Sequence, residues 1–269
     1  MTVAPPHPFD ADTALEETGA LRWRAWAPEH WFVARGVNGG FLAAIAARAA
    51  ETAAGRPLRS LTLHFLEAPA VGPLDVAATL EREGRSYSAV SLRIEQEGRT
   101  VTLALATLGA LPDEGASWSA GGPPAAAPPA EVEPIRAEGT NVPEFFSNYE
   151  MRWALSGGPE GAPGSGGWLR AREPRVLDAP LVAAMTDAWA PAAFAALEGV
   201  VGAPTLDLTI HIRAPLPPAG MEAGDYVLGR FWSRLGLGGV WEEDGELWTP
   251  DGELIAQSRQ LALVREPRA

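Results

Sequence analysis

LTLHF (61–65) and LTIHI (208–212) are nearly the same five residues, and an Ala-Pro step follows each, at 68–69 and 214–215. Both stretches alternate Leu, Ile or Phe with Thr and His, the period-two pattern of half-buried strands. Their surroundings repeat too. Upstream of the first, FLAAIAARAAETAAG (41–55) reads as an alanine-rich helix that stops at Gly55. Upstream of the second, LDAPLVAAMTDAWAPAAFAALEG (177–199) reads as a second apolar helix, interrupted by Pro191. Downstream of the first come strand-like LDVAATLERE (74–83), YSAVSLRIEQEG (87–98) and RTVTLALATLGA (99–110). Downstream of the second come DYVLGRFWSR (225–234), LGGVWEEDGELWT (237–249) and GELIAQSRQLALVRE (252–266), with Asp-Gly hairpin signals in EEDGEL and TPDGEL. The matching order predicts an α+β protein made of two copies of one unit, each a central helix wrapped by antiparallel sheet.

The unit boundaries follow from composition. Residues 1–110 form the first unit and 141–269 the second. Between them, 111–140 (LPDEGASWSAGGPPAAAPPAEVEPIRAEGT) is rich in Pro, Ala and Gly and predicts an exposed, semi-extended linker. GGPEGAPGSGG (157–167) predicts a flexible surface loop.

With 269 residues, 46% of them hydrophobic, the chain can bury a sizeable core. No apolar run reaches the ~18–20 residues of a membrane span, and the MTVAPPHPFDAD start lacks the marks of a signal peptide. The absence of cysteine excludes disulfides and thiolate metal sites and fits a cytoplasmic setting. No His-x-x-His or Glu-x-x-His spacing offers a metal site, and no cofactor is implied. A net charge of −13 argues against nucleic acid as a partner, and it obliges any phosphorylated ligand to find local arginines, with Arg35, Arg59 and Arg213 as candidates.

Two helix-in-sheet units in one chain resemble the double hotdog fold. In detail the residues resemble acyl-CoA thioesterases of the thioesterase II type. The likeness rests on GVNGGFLAAIAARAA (36–50), LTLHFLEAPAVGPL (61–74) and EREGRSYSAVSLRIEQEGRTV (81–101) in the first half. In the second it rests on AMTDAWAP (184–191), PTLDLTIHIRAP (204–215) and WEEDGELWTPDGELIAQSRQ (241–260). It implies a lipid-metabolism hydrolase of acyl-CoA or a related acyl thioester, assembled as a homo-oligomer of double hotdogs. It also implies a water-activating trio, matched here by Asp187 after Thr186, by Thr205 before Leu206-Asp207, and by Gln260. Leu261 departs from the family, where the residue after the Gln is usually acidic or polar.

The residue chemistry is compatible with that role. Thioester hydrolysis needs an oriented, partly deprotonated water and a donor for the developing oxyanion. A carboxylate among Ala184, Met185, Ala188, Trp189 and Pro191 loses solvation, which raises its pKa toward general-base duty. A hydroxyl and an amide can supply the remaining hydrogen bonds to one water. Backbone N–H groups at the start of the first helix, at Gly39 or Gly40, are candidate oxyanion donors and substrate contacts.

Other readings stay open. A hotdog hydratase or dehydratase of enoyl thioesters would want an Asp/His pair, which Asp207 and His211 could offer on one strand face. A non-catalytic acyl-thioester-binding protein is also compatible. His64 and His211 hold equivalent positions in the repeat, which favours a structural role for both. His30 is expected to pack in a loop or line an acyl channel. Trp23, Trp26, Trp31, Trp232, Trp241 and Trp248 are expected in cores or interfaces.

Overall fold

The computed structural model describes residues 6–33, 36–112, 115–136, 143–199 and 202–265. Its first half runs α1 (Pro8–Asp12), β1 (Glu16–Gly19), β2 (Arg22–Ala27), β3 (Phe32–Val33), β4 (Gly36–Val37), α2 (Gly39–Ala54), β5 (Leu58–Phe65), β6 (Gly72–Glu83), β7 (Ser88–Gln96) and β8 (Arg99–Leu108). The second half runs β9 (Tyr149–Ser156), β10 (Gly164–Ala171), α3 (Ala179–Met185), α4 (Ala193–Ala196), β11 (Thr205–Ile212), β12 (Val227–Trp232), β13 (Gly236–Leu237), β14 (Val240–Trp248) and β15 (Leu254–Leu263).

One antiparallel sheet of 13 strands follows the order β1-β2-β6-β7-β8-β5-β11-β15-β14-β12-β10-β9, with β13 against β14. The repeated stretches meet at its centre. In the β5–β11 ladder, Leu61 lies opposite Ile210, Thr62 opposite Thr209 and Leu63 opposite Leu208. The two threonine hydroxyls sit 3.1 Å apart. A local two-fold therefore passes between Thr62 and Thr209, and each half wraps its own helix. This is the double hotdog arrangement.

The two helices differ more than the sequence pattern suggests. Helix α2 has the anticipated form. Asn38 caps its start by accepting from the Phe41 N–H at 3.1 Å, and Gly55 ends it in the left-handed region at φ +60°. Ten of its residues, Gly40 to Ala47 with Ala49 and Ala50, are buried. Helix α3 does not extend over 177–199. It ends at Met185, with the Thr186 hydroxyl turned back onto the Ala183 carbonyl at 2.8 Å. Only the short α4 resumes, beyond Pro191.

The stretch 157–167 is likewise no flexible loop throughout: its last four residues, 164–167, are buried and open β10. Glycine is used here for close approach. A Cβ at Gly166 would stand 2.1 Å from the Gly229 carbonyl oxygen, and one at Gly167 2.0 Å from that of Arg152. Gly166→Ala is therefore expected to destabilise the fold by about 3 kcal/mol or more, the scale of an overpacked core. Chemical denaturation would read this as a lower midpoint at unchanged slope.

Of the six clustered tryptophans, Trp26 is the exposed one, at 56%, and the other five are buried. Within the linker region the described residues are mostly exposed, although the Ala127 carbonyl accepts from the Trp168 indole at 2.7 Å. Among the described residues no helix is long and apolar enough to cross a membrane.

Candidate active site

The short second helix decides where Asp187 stands. It lies in the turn just past the end of α3, where its N–H reaches back to the Ala184 carbonyl. Ala188 and Trp189 beside it are buried. Its side chain is partly buried and faces the start of α2 in the other half. One oxygen, Oδ2, accepts from the Gly40 N–H at 2.8 Å and from the Asn38 amide at 3.0 Å. The other, Oδ1, takes no hydrogen bond from any described residue. Burial pushes the carboxyl up to about 6, against the opposing pull of Gly40 and Asn38. Asp187 is thus a carboxylate with one oxygen fixed and the other without a partner among the described residues, its pKa pushed up by burial.

The sequence pattern does not single out Asn38. It works at both ends of its amide: the oxygen caps α2, and the nitrogen donates to Asp187. A cap position followed by Gly-Gly is the available signal, but nothing in it points across to residue 187. Gly40 needs to be glycine, since a Cβ there would meet the Ala184 carbonyl oxygen at 2.5 Å. Its N–H is committed to Asp187, so Gly40 holds the carboxylate and is not a free oxyanion donor. A Cβ at Gly39 would stand 3.0 Å from both Asp187 Oδ2 and the Phe65 ring, so this backbone lies directly at the site. As the first residue of α2, Gly39 has no partner for its N–H within the helix.

Thr205 and Gln260 form a second group. Between Thr205 and Asp207 the β11–β15 register shifts, a bulge that turns Thr205 to the inward face shared by Gln260 and Ala262. There the Thr205 hydroxyl donates to Gln260 Oε1 at 2.6 Å, and Gln260 Nε2 donates to Glu243 Oε1 at 2.6 Å. Glu243 Oε2 accepts from the Ala192 N–H, also at 2.6 Å. No hydrogen bond among the described residues joins Asp187 directly to Thr205 or Gln260. Burial raises the proton affinity of Glu243, and the charge of Asp187 adds to that rise. Tyr149 adds a hydroxyl that is buried without a partner among the described residues, and its affinity for its proton is raised by burial and by Asp187.

Next to Asp187 in sequence, Trp189 belongs to an aromatic group. Trp189 stacks on Phe231 with ring centres 6.5 Å apart and touches Trp153 at 5.7 Å. Two shallow surface depressions, one lined by Phe194–Gly199 and one by Arg82, Gly84–Ala89 and Thr107, contain none of these groups.

The local two-fold supplies an internal comparison. Register pairing makes Leu58 the counterpart of Thr205, Ala106 that of Gln260 and Val90 that of Glu243. Both ladders even carry the same bulge, at Leu58/Ser60 and at Thr205/Asp207. Counted from the helix caps Asn38 and Asp178, Ala47 corresponds to Asp187. All four counterparts are apolar and buried. The end carrying Asp187 holds a carboxylate oxygen without a partner among the described residues, whereas at the equivalent end Arg48 forms an ion pair with Asp10, and Arg175 with Asp10 and Asp178.

The remaining candidates lie elsewhere. Asp207 and His211 project from the outer face of β11, opposite His64 and Ser60, and share no hydrogen bond among the described residues. His30 is held by Asp12 at 2.7 Å, in a cluster with the Trp31 indole. Arg59 donates to the Ala214 carbonyl and Arg213 is exposed, while Arg35 falls outside the described residues.

Residues 27–109 match the acyl-CoA thioesterase N-terminal domain, and residues 121–264 match the acyl-CoA thioesterase C-terminal domain. An uncharacterised protein of Mycobacterium tuberculosis is 31% identical over 278 aligned positions, covering 88% of each chain. A solved hot dog fold protein of unknown function from Alicyclobacillus acidocaldarius superposes with a TM-score of 0.89 at 26% identity, over 98% of this chain and 100% of its own. A protein from Thermobifida fusca described as a thioesterase II superposes with a TM-score of 0.84 at 23% identity, over the same shares of the two chains.

Proposed function

Because the chain belongs to the acyl-CoA thioesterase family, we propose that it hydrolyses acyl-CoA by direct attack of a water held between Asp187, Thr205 and Gln260. The observation that carries this reading is the state of Asp187. Oδ2 is pinned by Gly40 and Asn38, while Oδ1 has no partner among the described residues and burial pushes the carboxyl up to about 6. In the reaction Oδ1 takes a proton from the water as its oxygen bonds to the thioester carbon. The tetrahedral oxyanion then rests near the Gly39 N–H at the positive end of α2. Collapse breaks the carbon–sulfur bond, and the departing thiolate recovers the proton from Asp187. Thr205 supplies a lone pair for the second hydrogen of the water, since its own proton is given to Gln260.

Hydration of enoyl thioesters is the less favoured reading, because the Asp207 and His211 pair it would use faces outward. The deciding experiment follows free thiol release and loss of conjugated enoyl absorbance in parallel, across acyl-CoAs of increasing length. Thiol release from saturated acyl-CoAs is the expected result. Enoyl consumption without thiol would establish hydration instead, and binding with neither signal over hours would establish a non-catalytic acyl-thioester-binding protein.

A further inference from the structure

Glu243 is the third residue of WEEDGEL (241–247), on the inward face of β14 between Trp241 and Gly245, and it is only 5% exposed. Its counterpart in the first half, Val90, is a fully buried hydrocarbon paired with Ala106. Burying a carboxylate costs several kcal/mol where valine packs freely, so packing does not account for the acid. Its bonds do suggest a use. Both oxygens accept from nitrogen donors, Ala192 N–H on one side and Gln260 Nε2 on the other, each at 2.6 Å. The Gln260 amide therefore has one permitted orientation, with its oxygen toward Thr205.

Accepting the catalytic reading above, we infer that Glu243 is a positioning residue: its carboxylate fixes the direction of the Thr205–Gln260 hydrogen bonds and so determines whether Thr205 accepts from the attacking water or donates to it. If Glu243 gains a proton, its O–H requires an acceptor. Ala192 N–H cannot serve, so the Gln260 amide turns over and offers its oxygen. Gln260 Nε2 then faces Thr205, whose own proton must point outward, at the lone pair with which the water attacks. The Ala192 contact also ties the segment carrying Asp187 to β14, the strand paired with the one bearing Gln260.

The surroundings set the balance between the two states. Burial pushes Glu243 up to about 8, and the acidic neighbours Asp187 and Glu242 add to the shift, against Ala192 and Gln260. Arg234 and Arg259, the nearby cations, are engaged by Asp244 on the opposite face. The productive direction is thus favoured as pH rises through the Glu243 transition.

The test compares kcat/KM against pH for the parent and Glu243→Gln with one saturated acyl-CoA. The amide that replaces the carboxylate would accept from Ala192 N–H and donate to Gln260, holding the turned-over state at every pH. The parent is expected to show two rising limbs, one for Asp187 and one near pH 8. E243Q should track the parent below the second limb and fall about tenfold behind above it, the scale of one misdirected hydrogen bond, with KM within about twofold. A parent profile with one limb overturns the inference even if E243Q fails to fold. An equal loss in E243Q at all pH values, or a profile superimposable on that of the parent, overturns it as well. Asp187→Asn run alongside separates the two ideas: if it keeps parental rates, the catalytic reading itself has failed, whatever E243Q does.

Discussion

Asp187→Asn is expected to fold and to lose roughly 10³-fold in kcat/KM, within the 10²–10⁴ range of a positioned general base. Its geometry keeps the comparison clean. The substituted amide can present its oxygen to the Gly40 N–H and to the Asn38 side chain, so both bonds that hold Asp187 persist. What disappears is the free basic oxygen. Stability should move the opposite way. The folded-state pKa lies above the ordinary value of 3.8, so the ionised carboxylate opposes folding. That opposition is absent below about pH 4, grows as pH rises, and is complete above the folded pKa of about 6. At about pH 8 the variant should therefore be more stable than the parent by on the order of 2–3 kcal/mol, with the margin vanishing near pH 4. Thermal melts at both pH values, beside thiol-release kinetics, read out the pair of effects. Parental turnover would remove the general base, and loss of activity together with lower stability would show mere disruption.

Gly40→Ala should be the most damaging single methyl in the molecule for function. The new Cβ would lie 2.5 Å from the Ala184 carbonyl oxygen, 2.9 Å from Asn38 Oδ1 and 3.1 Å from Asp187 Cβ. Helices α2 and α3 would have to separate. The expected cost is about 3 kcal/mol in stability, with at least a roughly 10²-fold fall in kcat/KM from a displaced base. Since the Gly40 conformation is not left-handed, the effect comes from proximity and not from backbone strain. Equilibrium unfolding and steady-state kinetics on one preparation check both figures. A well-folded, fully active G40A would show that the two helices have room to spare where they meet.

The repeat, the central helix of the first half and most strands were legible because each depends on local periodicity. Alternation in 61–65 and 208–212 marks strands, and alanine-rich 41–55 with Gly55 marks a helix and its stop. The second helix misled because its composition continues past Thr186, while its hydrogen bonding does not. Segment 157–167 misled for the converse reason: glycine signals a turn locally, but 164–167 is glycine-rich so that β9 and β12 can close in on β10. In the candidate site, Asp187, Thr205 and Gln260 came from family likeness. Asn38 escaped notice because its link to Asp187 spans 149 residues. Glu243 hid in an acidic run, although alternation from Trp241 to Leu247 already placed it on the inward face. Long-range register, not residue type, was the missing information.

Gly40 and Asn38 grip Asp187 from across the boundary between the two copies. A duplicated gene arranged this way specialises unevenly. One copy keeps its helix start under close constraint and, at Ala47, Leu58, Ala106 and Val90, carries hydrocarbon where its sibling carries polar side chains. The other holds Asp187 and the Thr205–Gln260–Glu243 chain, yet depends on the first to hold its carboxylate in place. Titrating the protein with a tight, non-hydrolysable acyl-CoA mimic should therefore saturate at one equivalent per polypeptide, although the architecture repeats its unit twice. Neither copy is a smaller enzyme waiting to be cut free.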